Sequence, residues 1–318
     1  MRGTIFALAG SLALLTGSAR AERIIALTDG QLVSFDSAAP GTANSTVTIT
    51  GLGASESLIG IDYRPSNQTI YGVSNASKLY TLNTLSGEAI QVGTAAFNVM
   101  LKGTFFGVDF NPQADLLRVV SNTGQNLRIN PATGLVLTNI SGTGDIPLNY
   151  SAGVTASGVV SAAYTNNVKG ASSTVLYVID SNLDQLNIQG PMPPAQGPNQ
   201  GVLAPVGPLA FNPTPLTGFD ISGQTGFAYV SSGNNLWTLD LKLNSAPQLN
   251  GPIVPGLGVE ILDITAAPVP EPGTLALLGL GLAGLAAHLR RRGLVPRCLS
   301  IRCRVLKSTK PEKSLNYF

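Results

Sequence analysis

Aspartates recur in a repeated strand pattern and are the best candidates for a chemical site. They are Asp62, Asp109, Asp220 and Asp263, with Ala163 at the corresponding place in a degenerate fifth copy. Repetition predicts equivalent positions around one axis, where four carboxylates could hold a hard cation such as Ca²⁺ through oxygen ligands. The alternative is structural: each carboxylate accepts backbone N–H bonds in a neighbouring turn and locks its repeat in place.

The sequence has few residues that could support other kinds of catalysis. The one histidine is His288, and the two cysteines are Cys298 and Cys303, all close to the C-terminus. The preceding chain therefore has no imidazole for a Ser-His-Asp arrangement and no thiolate or imidazole for a common zinc site. Hydrolysis by a pair of carboxylates remains open, although no spacing singles out a pair. We therefore expect that the protein is not an enzyme and has no cofactor other than that Ca²⁺.

The charge of the chain is unevenly distributed. Residues 22–268 contain eight Lys/Arg against fifteen Asp/Glu, a net charge of −7, although the whole chain has a net charge of +2. An acidic domain offers no electrostatic attraction to nucleic acid or to an anionic membrane. Cations and neutral polysaccharide remain as partners that this charge permits.

Internal repeats predict the fold. Apolar strands joined by polar turns form five hairpin-like units, and their second strands begin at leucines spaced by 47, 48, 59 and 50 residues. These leucines are Leu32, Leu79, Leu127, Leu186 and Leu236. The spacing is typical of one four-stranded blade per repeat, with room for loops.

The ends of the domain are expected to meet. A further strand precedes most hairpins, but the first hairpin lacks one, and residues 260–265 supply a strand at the far end. Completing one blade from both ends removes exposed sheet edges. We therefore predict an all-β, five-bladed β-propeller with ring closure, in preference to an open sandwich.

The C-terminal region has the pattern of a membrane anchor. Val269, Pro270, Glu271 and Pro272 precede an apolar run over residues 273–289, and Arg290, Arg291 and Arg292 follow it. Seventeen residues span about 25 Å as a helix, at the short limit for crossing a bilayer. The run is apolar on all sides, so a transmembrane helix is predicted, with the arginine end in the cytoplasm.

The N-terminus is typical of an export signal. Arg2 supplies a positive charge, residues 4–15 are mostly apolar, and Ala19 and Ala21 form a small-x-small cleavage site. Cleavage there would make Glu22 the first residue of the mature protein. Both ends of the chain thus independently predict export.

These residues resemble two known families. The Pro-Glu-Pro motif, helix and arginine cluster resemble the PEP-CTERM sorting signal of Gram-negative bacteria, which the membrane protease exosortase reads and cuts. The resemblance implies export through the Sec machinery across the inner membrane, a transient anchor, and cleavage near residues 270–272. Gly-x-Asp-aromatic-x-Pro followed by a Tyr-Gly-Val-type strand resembles the domain of unknown function 4394 family, which is propeller-like and implies no catalytic residues.

The predicted organisation is a signal peptide (1–21), a propeller (22–265), a linker with the Pro-Glu-Pro motif (266–272), a transmembrane helix (273–289) and a basic cytoplasmic tail (290–318). Signals of this type usually end soon after the arginines, so residues 293–318 depart from the pattern and receive no role. The leading expectation is a non-catalytic binding or structural propeller at the cell surface or in the extracellular matrix, with extracellular polysaccharide as a candidate partner. The alternative is a metal-dependent hydrolase or lyase of such polysaccharide.

Overall fold

The computed structural model describes residues 21–151, 154–190 and 197–268. In these residues, five four-stranded antiparallel sheets form the blades of a β-propeller. The first blade contains β1 (Arg23–Thr28), β2 (Gln31–Asp36) and β3 (Ala39–Thr48), with β22 (Ile261–Ala267) as its innermost strand. The predicted all-β, five-bladed propeller is confirmed.

The other blades follow in chain order. The second contains β4 (Leu58–Arg64), β5 (Thr69–Ser74), β6 (Leu79–Leu82) and β7 (Ala89–Gln91). The third contains β8 (Phe106–Asn111), β9 (Leu116–Ser121), β10 (Asn126–Asn130) and β11 (Leu135–Val136). A two-stranded hairpin, β12 (Asn149–Ser151) and β13 (Val154–Thr155), comes before the fourth blade.

The fourth blade contains β14 (Val159–Tyr164), β15 (Leu176–Asp180), β16 (Gln185–Gln189) and β17 (Leu203–Pro208), with a 3₁₀ turn at Pro198–Gln200 before its last strand. The fifth contains β18 (Gly218–Ile221), β19 (Ala228–Ser232), β20 (Asn235–Leu239) and β21 (Gln248–Pro252). All five hairpins that the sequence predicted are present, as β1–β2, β5–β6, β9–β10, β15–β16 and β19–β20.

Burial explains the sequence pattern of the strands. The second strand of each blade, such as β1 or β9, is buried along nearly all its length because neighbouring blades cover both faces of the sheet. Its sequence is therefore a continuous apolar run, as in Ile24–Leu27, and does not alternate. By contrast, β3 is an outer strand rich in Thr, Ser, Asn and Ala, and partly buried and exposed residues alternate from residue 42 onward. Gly30, in the turn that joins β1 to β2, has a φ of 80°, a conformation that glycine adopts without strain.

The ring closes as the sequence predicted. The C-terminal strand β22 pairs antiparallel with β1, from Arg23 opposite Ala267 to Thr28 opposite Ile261, with a register irregularity next to Leu27. The strand runs two residues past the predicted domain end at residue 265. Joining the first and last strands in one sheet leaves the ring without an open seam.

The core lies between blades. Five clusters of buried apolar side chains occupy the five seams, for example Ile61 and Tyr80 of the second blade against Leu27 of the first. Tyr71 and Phe110 meet edge to face across the next seam, with ring centroids 5.1 Å apart. Every strand pair and core cluster described lies within residues 22–268, so this segment carries a complete core of its own.

No helix within the described ranges is both long and apolar enough to cross a membrane. The predicted transmembrane helix at residues 273–289 lies outside those ranges, as do the signal peptide up to Arg20 and the basic tail.

Candidate functional site

The innermost strands of the five blades place acidic side chains together near the centre of the ring. Asp62 lies on β4, Asp109 on β8 and Asp220 on β18, and each offers a carboxylate oxygen within 4.8 Å of those of the other two. The side chains are buried, with exposed fractions of 1%, 0% and 1%. We call these three residues the carboxylate triad.

Each member of the triad holds the next blade. The Phe110 N–H donates to Asp62 Oδ2 at 2.7 Å, and the Tyr164 N–H donates to Asp109 Oδ1 at 3.0 Å. A third bond of this type closes the ring, because the Ala266 N–H donates to Asp220 Oδ2 at 2.6 Å. The triad therefore has the structural role of joining innermost strands. The backbone N–H groups that it accepts belong to neighbouring strands, whereas the sequence predicted donors in neighbouring turns.

Asp263 does not occupy the position equivalent to the triad. The Tyr63 N–H donates to Thr265 Oγ1 at 3.1 Å, the same type of bond that the triad makes, so Thr265 takes the equivalent place in β22. Asp263 lies two residues earlier and accepts the N–H of Ile61 and of Ile264, each at 2.9 Å. The interpretation of four equivalent aspartates is corrected to three aspartates and one threonine.

Thr265 connects two members of the triad. Its Oγ1 lies 2.9 Å from Asp62 Oδ1 and 3.0 Å from Asp220 Oδ2. A hydroxyl group has one proton, so it donates to only one of the two carboxylates at a time. Asp109 Oδ2 is buried and has no hydrogen-bond partner among the described residues. In their charged form, the three carboxyl groups therefore have more acceptor atoms than donors.

Burial dominates the electrostatics of the site. It raises the pKa of Asp62 and Asp109 well above the ordinary value, and the neighbouring carboxylates raise it further. Burial also raises the pKa of Asp220, to about 6, and that of Asp263 well above its usual range. In the described part of the chain, lysine and arginine side chains pair with other carboxylates and not with the triad.

An apolar cavity lies at one end of the innermost strands. Its volume is about 140 Å³, and Phe105 and Phe106 contribute aromatic rings to its lining, together with Ile59, Leu216 and Leu262. These residues lie at or just before the starts of β4, β8, β18 and β22. Asp62 lies three positions after Ile59, about 10 Å along the strand, so the triad lies deeper in the ring than this cavity.

A buried ion network was not foreseen from the sequence. Arg118 of β9 is 1% exposed and binds Asp145 and Asn126, each at 2.7 Å, and Asn199 of the 3₁₀ turn at 2.7 Å. Asp145 also binds Arg128 at 2.8 Å. An arginine within the apolar run Leu117–Val120 was the available signal, because a buried charge needs a partner. The network ties the third blade to the loop before β17.

The predicted sorting and cleavage residues lie mostly outside the described ranges. This holds for Val269, Pro270, Glu271, Pro272, Arg290, Arg291 and Arg292, and for Ala19. Ala21 is described and exposed, and Glu22 directly after it is buried. The Glu22 carboxylate accepts hydrogen bonds from Ser222 and Thr225, so the propeller begins at the residue that follows the predicted cleavage site.

Comparisons with known proteins support both resemblances. A family described as "domain of unknown function (DUF4394)" matches residues 31–265, and the PEP-CTERM protein-sorting motif matches residues 268–292. The motif implies export and sorting to the cell surface by exosortase. No curated protein matches the chain in sequence.

Solved structures show only a distant likeness. The structure titled "Crystal structure of Nidogen/Laminin Complex" is 11% identical, with a TM-score of 0.43, over 77% of this chain and 98% of that one. "Crystal structure of Myxococcus xanthus Glutaminyl Cyclase" is 10% identical, with a TM-score of 0.41, over 64% of this chain and 77% of that one. At these scores the likeness carries no argument about function.

Proposed function

Because the chain belongs to the DUF4394 family and carries a PEP-CTERM sorting motif, we propose that it is a non-catalytic binding or structural propeller at the cell surface or in the extracellular matrix. The Sec machinery exports it across the inner membrane of a Gram-negative bacterium. The predicted transmembrane segment at residues 273–289 would anchor it there until exosortase cuts near residues 270–272. Extracellular polysaccharide is the partner that we propose for the propeller.

The observation that carries the proposal is the burial of the carboxylate triad, the acidic cluster that the described residues place near the axis of the ring. A general acid or base must come within hydrogen-bond reach of its substrate. Asp62, Asp109 and Asp220 are at most 1% exposed and already bind backbone N–H groups of neighbouring blades. A hydrolase or lyase that used this group would need a path to it through the packed innermost strands.

The apolar cavity supports a binding role. Binding sites are concave, with apolar and aromatic linings and a few polar groups, and this cavity has two phenylalanine rings with Ser57 and Thr104 beside them. The domain's net charge of −7 would repel an acidic polymer. A neutral polysaccharide, whose sugar rings have apolar faces, suits these properties best.

Sorting is tested with the full chain in a host that has exosortase. Wild type is expected in the surface or extracellular fraction without its C-terminal segment, and Glu271→Ala is expected to keep that segment and stay in the inner membrane. Glu260→Ala, which removes an acidic residue before the motif, is the matched control and should be sorted normally. Equal processing of Glu271→Ala and wild type would count against sorting by this motif.

Binding is tested by co-sedimentation of the propeller with neutral matrix polysaccharide. Phe105→Ala is expected to lower the bound fraction, because it removes one aromatic wall of the cavity. Phe227→Ala is the control, since that ring is 47% exposed and lies outside the cavity. Equal loss of binding in both variants, or in neither, would reject the cavity as the binding site.

A further inference from the structure

We propose that Asp62, Asp109 and Asp220 together bind one calcium ion at the centre of the ring, as a structural site that holds the innermost strands of three blades. This inference is independent of the proposed function, because it concerns how the propeller is stabilised after export. It replaces the set of four aspartates predicted from the sequence.

The carboxylate oxygens lie close enough together to share one ion. One oxygen from each member of the triad lies within 4.8 Å of the others. Calcium binds carboxylate oxygens at about 2.3–2.6 Å, so oxygens this close can contact the same ion. Magnesium keeps several waters and usually has only one or two carboxylate ligands, whereas calcium accepts several carboxylates in a flexible cage. Three buried carboxylates therefore favour calcium.

An unused oxygen points to a missing partner. Asp109 Oδ1 accepts the Tyr164 N–H, whereas Asp109 Oδ2 is fully buried and has no donor among the described residues. A buried acceptor without a partner costs about 1–3 kcal/mol, and more when it is charged. A cation would satisfy this atom and would neutralise the carboxylates, which no lysine or arginine of the described ranges approaches as an ion pair.

Thr265 can supply a further ligand. Thr265 Oγ1 lies within 3.0 Å of carboxylate oxygens of both Asp62 and Asp220, so its oxygen is available as a neutral ligand when its proton points away. Hard cations accept such mixed sets of carboxylate and neutral oxygen atoms. Calcium sites of extracellular modules typically have dissociation constants of about 10⁻⁴–10⁻³ M. A site in an exported propeller would be filled as the chain folds outside the inner membrane.

The experiment uses residues 22–268, which contain the complete core, refolded with calcium or with a chelator because the site is buried. The wild-type domain is expected to bind about one calcium per molecule in equilibrium dialysis against millimolar calcium, with the metal measured by mass spectrometry. At a calcium concentration 100-fold above the dissociation constant, its melting temperature should rise by about 5–11 °C.

Two variants distinguish an aspartate that binds calcium from an aspartate that has only a structural role. Asp109→Asn keeps an oxygen for the Tyr164 N–H but loses the charge, so it should lose the bound calcium and the calcium-dependent rise. Asp263→Asn changes another buried aspartate, which lies outside the triad, so it should keep both the bound calcium and the calcium-dependent rise, even at a lower melting temperature.

Several outcomes would overturn the proposal. One is a wild-type domain that holds no calcium and melts at the same temperature with and without it. Another is the loss of the calcium response in Asp263→Asn together with its survival in Asp109→Asn. An equal rise with magnesium would overturn the choice of calcium. If Asp109→Asn fails to fold, the calcium content and melting shift of wild type still decide the matter.

Discussion

Gly107 lies where two innermost strands, β8 and β14, approach each other closely, and its substitution by alanine tests the closed ring. A Cβ atom at this position would lie 2.5 Å from the Ala162 nitrogen and 2.6 Å from the Ser161 Cα, both backbone atoms of β14. Gly107 does not have a positive φ, so alanine suffers no backbone strain there. The whole effect should come from the collision of β8 with β14.

The cost follows from the distances. Nonbonded carbon atoms pack best at about 3.5–4.0 Å, so the two strands would have to separate by about 1 Å. Extra volume in a packed core costs about 1–3 kcal/mol, and we expect the upper end because the obstructing atoms are backbone. For a domain of this size, 3 kcal/mol lowers the melting temperature by about 6–12 °C.

Differential scanning calorimetry of Gly107→Ala against Gly41→Ala measures this effect. Gly41 is also a strand glycine without a positive φ, but the nearest atoms to a Cβ there are 3.8 Å away. Gly41→Ala should change the free energy of unfolding by no more than about 0.5 kcal/mol. If the two variants melt at the same temperature, the innermost strands are not packed against each other as described, and the reasoning fails.

Three further predictions concern buried polar groups. Arg118→Met should lower the free energy of unfolding by about 1.5–3 kcal/mol in urea denaturation, because buried Asp145 keeps Arg128 but loses its bond to Arg118, and two asparagine oxygens lose their charged donor. Thr265→Val should lower it by about 1–3 kcal/mol, since two buried carboxylates lose their shared hydroxyl. Burial raises the pKa of Glu56, but three side-chain donors outweigh it and hold that pKa below its ordinary value. Glu56→Gln should therefore make the melting temperature less sensitive to acid.

Each of these has a control or a contrary result. Arg64→Met breaks an ion pair whose Asp115 side chain is 42% exposed, so it should cost at most about 1 kcal/mol; a larger loss than in Arg118→Met would contradict the burial argument. An unchanged free energy of unfolding in Thr265→Val would mean that the hydroxyl does not stabilise the two carboxylates. For Glu56, the stabilisation by the charged carboxylate is fully present above its pKa in the unfolded chain, about 4.3. It is lost as the pH falls through the lower pKa of the folded protein. Parallel melting curves of wild type and Glu56→Gln between pH 7 and pH 3 would argue against it.

The architecture could be predicted from the sequence because the repeat is local. Each hairpin has its own apolar strands and polar turn, so their spacing near 50 residues is visible without tertiary information. Closure could also be predicted, because the first hairpin lacked an inner strand that residues 260–265 could supply. Each strand and hairpin can be recognised within a few tens of residues, and closure follows from matching the repeat that lacks an inner strand with the strand that lacks a repeat.

The site was only partly predictable. Asp62, Asp109 and Asp220 share the local pattern Gly-x-Asp, but β22 has Asp263-Ile-Thr265 with the aspartate in the place of the glycine. Aligning the copies by their acidic residue therefore shifted β22 by two positions. The Arg118 network joins residues up to 81 positions apart in the chain, and the apolar cavity gathers residues from four blades. Neither leaves a local pattern in the sequence.

The central claim, binding without catalysis, is tested most directly by incubating the propeller with neutral matrix polysaccharide and measuring bound protein and polymer cleavage in the same sample. The account predicts that the protein sediments with the polymer while reducing ends and unsaturated sugar products stay at the level of the protein-free sample. Cleavage products that accumulate with time and disappear in Asp109→Asn would contradict it and would make the carboxylate triad a catalytic site.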